Sequence, residues 1–175
     1  ISLRDCEGIA WFAPAATLFI SGEGDQKILE YSLDGQPTGR KLSVPGQFAL
    51  PNIVGNCGFE ALTYSAATHL FWTTTETPLP ADCPAPGPAN PGISGLLRLQ
   101  AFDDQLQPAG QYAYRMAPGR MADFGATYVH GVPALTALPD GRLLVLEREA
   151  NITAGGLSST VECKLFLVNP TEGHL

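Results

Sequence analysis

Apolar residues along this chain come in short blocks of about four to seven, separated by turn-forming residues, and the blocks repeat. Glu7 to Glu23, Glu60 to Glu76 and Pro133 to Glu149 align without a gap, each ending sixteen positions after it begins. Glu7-Gly8-Ile9-Ala10 lies over Glu60-Ala61-Leu62-Thr63 and over Pro133-Ala134-Leu135-Thr136. Thr17-Leu18-Phe19-Ile20 lies over Leu70-Phe71-Trp72-Thr73 and over Leu143-Leu144-Val145-Leu146. An apolar run, a turn and a second apolar run predict a β-hairpin, used here three times. A third strand is predicted after each hairpin, at Lys27–Leu33, Leu96–Phe102 and Lys164–Val168, running into Asp, Asn, Gly or Pro. A fourth is predicted twice, at Gly39–Val44 and Gln111–Met116.

Repeats that start 53 and 73 residues apart, with four short antiparallel strands each, predict an all-β chain. The expected fold is a β-propeller of four-stranded antiparallel blades, with about three blades in one domain spanning 1–175. The blades are expected near 1–50, 51–120 and 121–175. The Gly-His…Trp-Asp and double-glycine signatures of two common propeller repeats are absent. Two insertions interrupt the pattern. Residues 77–94 are dense in proline and read as a surface loop, because proline cannot pair within a sheet. Residues 150–160, with Gly155-Gly156 and Ser158-Ser159, read as a flexible loop. Both leave the second strand of a blade just after its acid, so both are expected at one rim. Trp11, Trp72, Phe19 and Phe71 occupy strand positions and are expected between the blades.

Composition narrows the function classes. Charged residues are 15% of the chain, against a usual share of about a quarter, and Gly and Pro number 19 and 15. The net charge is −7, which disfavours nucleic acid and anionic lipid and suits capture of cations or simple solubility. No run of eighteen apolar residues exists, so no membrane span is expected. The sequence opens at Ile1 without Met, as expected of a processed chain or a piece of a longer one. Cys6, Cys57, Cys83 and Cys163 fit no zinc spacing. They form either two disulfides, with Cys57–Cys83 the first pair to try, or four buried thiols.

The acids carry the candidate chemistry. Strand alternation puts Glu147 and Glu149 on one side of their strand. Repeat symmetry carries Glu23, Glu76 and Glu149 to a common zone around the axis, and Glu7 and Glu60 to the neighbouring strands. Converging carboxylates repel unless a cation or basic groups neutralise them, and an all-oxygen set suits Ca2+ or Mg2+. The other reading makes these glutamates strand caps that bond backbone N–H groups of the next blade. By alternation Arg148 points away from Glu147 and Glu149. His69 and His130 have no acid at a recognisable spacing and read as surface or packing residues. No nucleophile elbow or phosphate-cradling glycine loop is present.

Three segments resemble a known family: Glu7-Gly8-Ile9-Ala10, Asn56-Cys57-Gly58-Phe59-Glu60-Ala61-Leu62-Thr63, and Leu135 through Glu149 with its Leu-Leu-Val-Leu-Glu-Arg run. They are similar to the bacterial phytase-like family, described by esterase-like activity of phytase. That family carries a Gly-Phe-Glu-Gly-Leu motif, in which Ala61 here replaces the second glycine. The resemblance implies a β-propeller from a periplasmic, extracellular or cell-surface bacterial protein. It also implies ester or phosphoester hydrolysis with Ca2+. Members are longer chains with a further blade on either side. Three blades cannot close a ring, so the chain is expected to be a fragment, or half of a ring completed by another copy.

Two classes of function follow. In the first, Ca2+ held by Glu7, Glu23, Glu60, Glu76, Glu147 and Glu149 assists phosphoester hydrolysis. Lys27, Arg120 and Arg148 then counter the charge of a small-molecule ester or phosphoester. In the second, a non-catalytic propeller presents its rim to a glycan, peptide or protein. A lactonase-type propeller hydrolase is a further option on the same carboxylate chemistry.

Overall fold

Pairing each apolar run with the next in sequence satisfies its backbone groups locally, and among the described residues eleven strands are joined by eight such pairings. The computed structural model describes residues 4–90, 92–120 and 127–172. The first sheet has the order β1(Cys6–Phe12), β2(Thr17–Gly22), β3(Lys27–Tyr31), β4(Pro37–Lys41). The second has the order β5(Phe59–Ser65), β6(Leu70–Thr75), β7(Leu96–Phe102), β8(Pro108–Arg115). The third has three strands among the described residues, β9(Thr127–Ala137), β10(Leu143–Ile152) and β11(Thr160–Val168). All neighbours are antiparallel. Pro37 and Pro108 sit on edge strands, where a missing N–H costs no ladder bond. The start of the third blade expected at 121 lies outside the described residues.

The sheets stack as propeller blades, with first strands innermost: β5 lies against both β1 and β9. Phe12, Phe19 and Ile28 of the first blade pack on Phe59, Phe71 and Phe102 of the second. Phe19 and Phe71 stand 4.7 Å apart, centroid to centroid, and Phe12 meets Phe19 edge-on at 5.6 Å. On its other face the second blade buries Trp72, Leu97 and Leu99 against Val132, Leu143 and Val145 of the third. Among the described residues the middle blade alone is covered on both faces. Ile9 and Trp11 remain exposed on the first blade, as do Val161, Leu165 and Leu167 on the third.

Three expectations need correction. Trp11 is 47% exposed rather than core, because Phe12, its neighbour on the opposite side of the pleat, takes the inter-blade position. The loop expected at 150–160 is confined to 153–159, since β10 keeps pairing to Ile152↔Thr127 and β11 starts at Thr160. All four cysteines are free thiols, and none is fully buried. Among the described residues no helix is long and apolar enough to cross a membrane.

Removing one of the interlocked aromatics should cost far more than altering an outer face. Phe71→Ala is expected to lose about 3–5 kcal/mol in urea denaturation. Leu165→Lys, on the exposed side of β11, is expected to stay within about 0.5 kcal/mol of the parent.

Candidate functional site

The site is built where the first hairpins of two blades end at one rim. β2 and β6 each stop one residue short of a glutamate. The Glu23 N–H donates to Asp5 O at 2.8 Å and the Glu76 N–H to Gly58 O at 2.7 Å, so both continue the hairpin alignment past the strand end. On the facing inner strands the register slips between Cys6 and Ile9 and between Phe59 and Ala61. Glu7 and Glu60 sit inside those slips. A bulge breaks the two-residue alternation and re-aims a side chain, which is how both acids turn to the rim. Glycine lets adjacent inner strands close up. A Cβ on Gly8 would stand 2.5 Å from Glu60 O, and one on Gly131 only 2.3 Å from Glu76 O.

Carboxylates therefore crowd together. Ligand oxygens of Asp5, Glu7 and Glu23 all lie within 4.8 Å of one another. Glu23 is buried and its Oε1 accepts the Gly58 N–H at 2.8 Å, a bond from the next blade. Desolvation raises the Glu23 carboxyl above its ordinary range, the Gly58 N–H partly offsets this, and Asp5, Glu7 and Glu76 raise it further. Glu7 is raised by desolvation and then by Asp5. Glu60 is pushed up to about 8, by desolvation first and Glu76 second, against the pull of Arg148.

The cations do not reach all of these acids. Arg148 Nη2 lies 2.5 Å from Glu76 Oε1 and 3.7 Å from Glu60 Oε2. Arg4 is taken by Asp25 at 2.8 Å. Among the described residues Asp5, Glu7 and Glu23 have no ion pair of their own. Cys57 lies nearby, its thiol pushed up to about 12 by burial and by Glu76.

The structure brings Glu7, Glu23, Glu60, Glu76 and Arg148 together. It gives Glu147 and Glu149 another set of partners, on the other side of β10. Glu147 accepts from the Tyr114 hydroxyl at 2.6 Å and the Ala117 N–H at 3.1 Å, with His130 Nε2 at 3.8 Å. Burial works to raise its carboxyl, and these neighbours outweigh burial and hold it below the usual range. Glu149 accepts from the Tyr128 hydroxyl at 2.6 Å and the Arg120 N–H at 3.0 Å. These two acids strap the segment after β8 onto β10. Arg148 meets the rim because alternation sends it to the side opposite Glu147. The β9 register also slips opposite Glu147, at Val132 and Pro133, where proline has no N–H for the ladder. Arg120 is an exposed side chain 3.7 Å from Glu162, and Lys27 is exposed at the start of β3. His130 is buried beside Glu147, and His69 Nδ1 lies 2.9 Å from Asp104 Oδ2.

Asp5 was not singled out from the sequence. The available signal was its place two residues before Glu7 with the Cys6↔Gly22 pairing just beyond, which sets it beside Glu23. Its backbone φ of +52° is a left-handed conformation that Asp tolerates better than most residues.

A family model described as "Phytase-like: Esterase-like activity of phytase" matches residues 2–174. Among solved structures, Kuenenia stuttgartiensis Hydrazine Synthase is similar at 10% identity and a TM-score of 0.36, over 97% of this chain and 51% of that one. The chain thus spans about half the length of that protein. No curated protein matches.

Glu60 makes stability pH-dependent in a definite direction. Its ordinary value is 4.5 and its folded value about 8, so the folded state holds the proton more tightly than the unfolded chain. The stabilisation is complete below about pH 4.5 and is lost as pH rises toward 8. With chelator present, the denaturation free energy of the parent should therefore fall from pH 5 to pH 9 relative to Glu60→Gln. A parallel pair of curves would contradict the assignment.

Proposed function

The chain belongs to the phytase-like family, described by esterase-like activity of phytase, and from that premise we propose that it hydrolyses a phosphate ester at the carboxylate rim with a bound divalent cation. One observation carries this reading: Asp5, Glu7 and Glu23 converge within 4.8 Å while the neighbouring arginines are occupied by other acids. Three carboxylates without an ion pair among the described residues are hard oxygen donors of the kind that Ca2+ takes, and a dication relieves the repulsion that raises Glu7 and Glu23. When bound, such an ion polarises the phosphoryl oxygen and acidifies a coordinated water.

The side chains of this chain supply the remaining parts. The Gly58 N–H fixes the orientation of the Glu23 carboxylate across the blade boundary. In this reading Glu60, whose carboxyl is raised to about 8, gives a proton to the departing alkoxide. Arg148 keeps Glu76 neutralised and stands 3.7 Å from Glu60, adding positive charge on the side a phosphate would approach.

Melting curves and turnover test this together. Ca2+ at a hundred times its dissociation constant is expected to add about 2.7 kcal/mol to folding stability, a rise of several degrees that Glu23→Gln abolishes. Hydrolysis of 4-nitrophenyl phosphate should require the ion, and on an alkyl phosphate, whose alkoxide must take a proton to leave, Glu60→Gln should lower kcat by about a hundredfold. No thermal shift together with no turnover on phosphate or carboxylic esters would leave a binding module instead.

A further inference from the structure

A second concave feature lies beside the rim, between the turn preceding β3 and the connector that leads from β4 to β5. It is a groove of about 640 Å³. Its walls include the apolar side chains Leu42, Val44, Phe48 and Leu50, of which Leu42 and Phe48 are buried. Lys27 and Lys41 stand at its edge. β3 and β4 pair Leu29 with Lys41, and Lys27 lies two residues before Leu29, so the two lysines are diagonal neighbours on one face of the sheet. Asp25, which also lines the groove, is already held by Arg4 at 2.8 Å.

The charge pattern of the whole chain sets these lysines apart. Seven of its ten Lys and Arg side chains lie within 3.7 Å of a carboxylate. Among the described residues Lys27, Lys41 and Arg115 have no such partner, and two of those three meet at this groove. Carboxylates outnumber cations by 17 to 10, so leaving two adjacent ammonium groups unpaired over an apolar floor runs against the general trend. Gln26 also faces the groove. Its Nε2 donates to Glu23 O at 2.9 Å, and its buried Oε1 has no partner among the described residues. That same amide ties the groove to the rim. Gly58, whose N–H holds Glu23, has no room for a Cβ because Gln26 Nε2 would lie 1.8 Å away.

We propose that this groove binds a small organic anion: its phosphate, phosphonate or carboxylate head pairs with Lys27 and Lys41, and its apolar body lies on Val44, Pro45 and Leu50. Neither a divalent cation nor turnover is needed for that binding. It therefore stands or falls separately from hydrolysis at the carboxylate rim.

Phenylphosphonate, which is not hydrolysed, is the probe, titrated by calorimetry and by amide chemical shifts in the presence of EDTA. The expected result is saturable binding that weakens with salt. Amides of Gln26, Lys27, Leu42, Val44 and Phe48 should shift. The Lys27→Gln/Lys41→Gln double variant should lose at least tenfold in affinity while keeping the parent circular dichroism. Both lysines are exposed, so the variant keeps its packing. Glu23→Gln should bind the probe as the parent does, even with rim activity abolished. Absence of binding, equal binding by the double variant, or equal binding of neutral 2-phenylethanol would each overturn the assignment. Equal binding of inorganic phosphate would overturn it too, by showing that the apolar floor contributes nothing.

Discussion

Face-to-face burial of aromatic residues between consecutive sheets is the constraint from which the rest follows. Phe12 and Phe19 interlock with Phe71, while Trp72 turns the other way toward Val132 and Val145. Neither face of the second sheet can then separate from its neighbour without exposing a large apolar area. This stacking fixes β5 between β1 and β9, and it draws the ends of the hairpins to one rim whatever charge they carry. The carboxylate crowding is thus a product of packing: Glu60 and Glu23 keep their raised proton affinity because moving apart would mean unpacking the blades.

Much of this architecture was legible in the repeats. Three hairpins with constant spacing, each followed by a turn signal, describe the sheets and their order, and the phenylalanines at equivalent positions describe the interfaces. Trp11 was not legible, because two aromatics in succession point to opposite faces and the sequence does not say which face is covered. The proline-rich segment reads clearly because proline excludes pairing. The Gly/Ser segment does not show where its flanking strands stop, since Asn151 and Ile152 pair as readily as the residues before them.

At the rim the limits have a different origin. Equal spacing suggests that Glu149 plays the part of Glu23 and Glu76, yet its carboxylate receives the Arg120 N–H and the Tyr128 hydroxyl. The third hairpin turn is one residue longer, with five residues between Ala137 and Leu143 against four between Phe12 and Thr17 and four between Ser65 and Leu70, so its two strands pair one residue out of step with the other hairpins. A gapless alignment of the repeats hides that longer turn, and Arg148, which lies over Gly22 and Thr75, brings a cation to the acids of the second blade. Asp5 lies outside the repeated segment altogether. It joins Glu7 and Glu23 through backbone pairing, a link that spacing within a repeat does not contain.

The uneven surroundings of the four thiols give the molecule a built-in pair of attachment points. Cys6 is exposed on the innermost strand of the first sheet and Cys163 on the outermost strand of the third, at opposite ends of the stack. Cys83 is half-buried, with the Leu96 N–H donating to its sulfur at 3.2 Å, and Cys57 holds its proton up to about 12. Since thiolate is the reactive form, a maleimide dye or nitroxide at neutral pH reaches the two terminal sheets in preference to the middle one. The separation between such reporters is then a direct ruler for how far the first and third sheets fan apart.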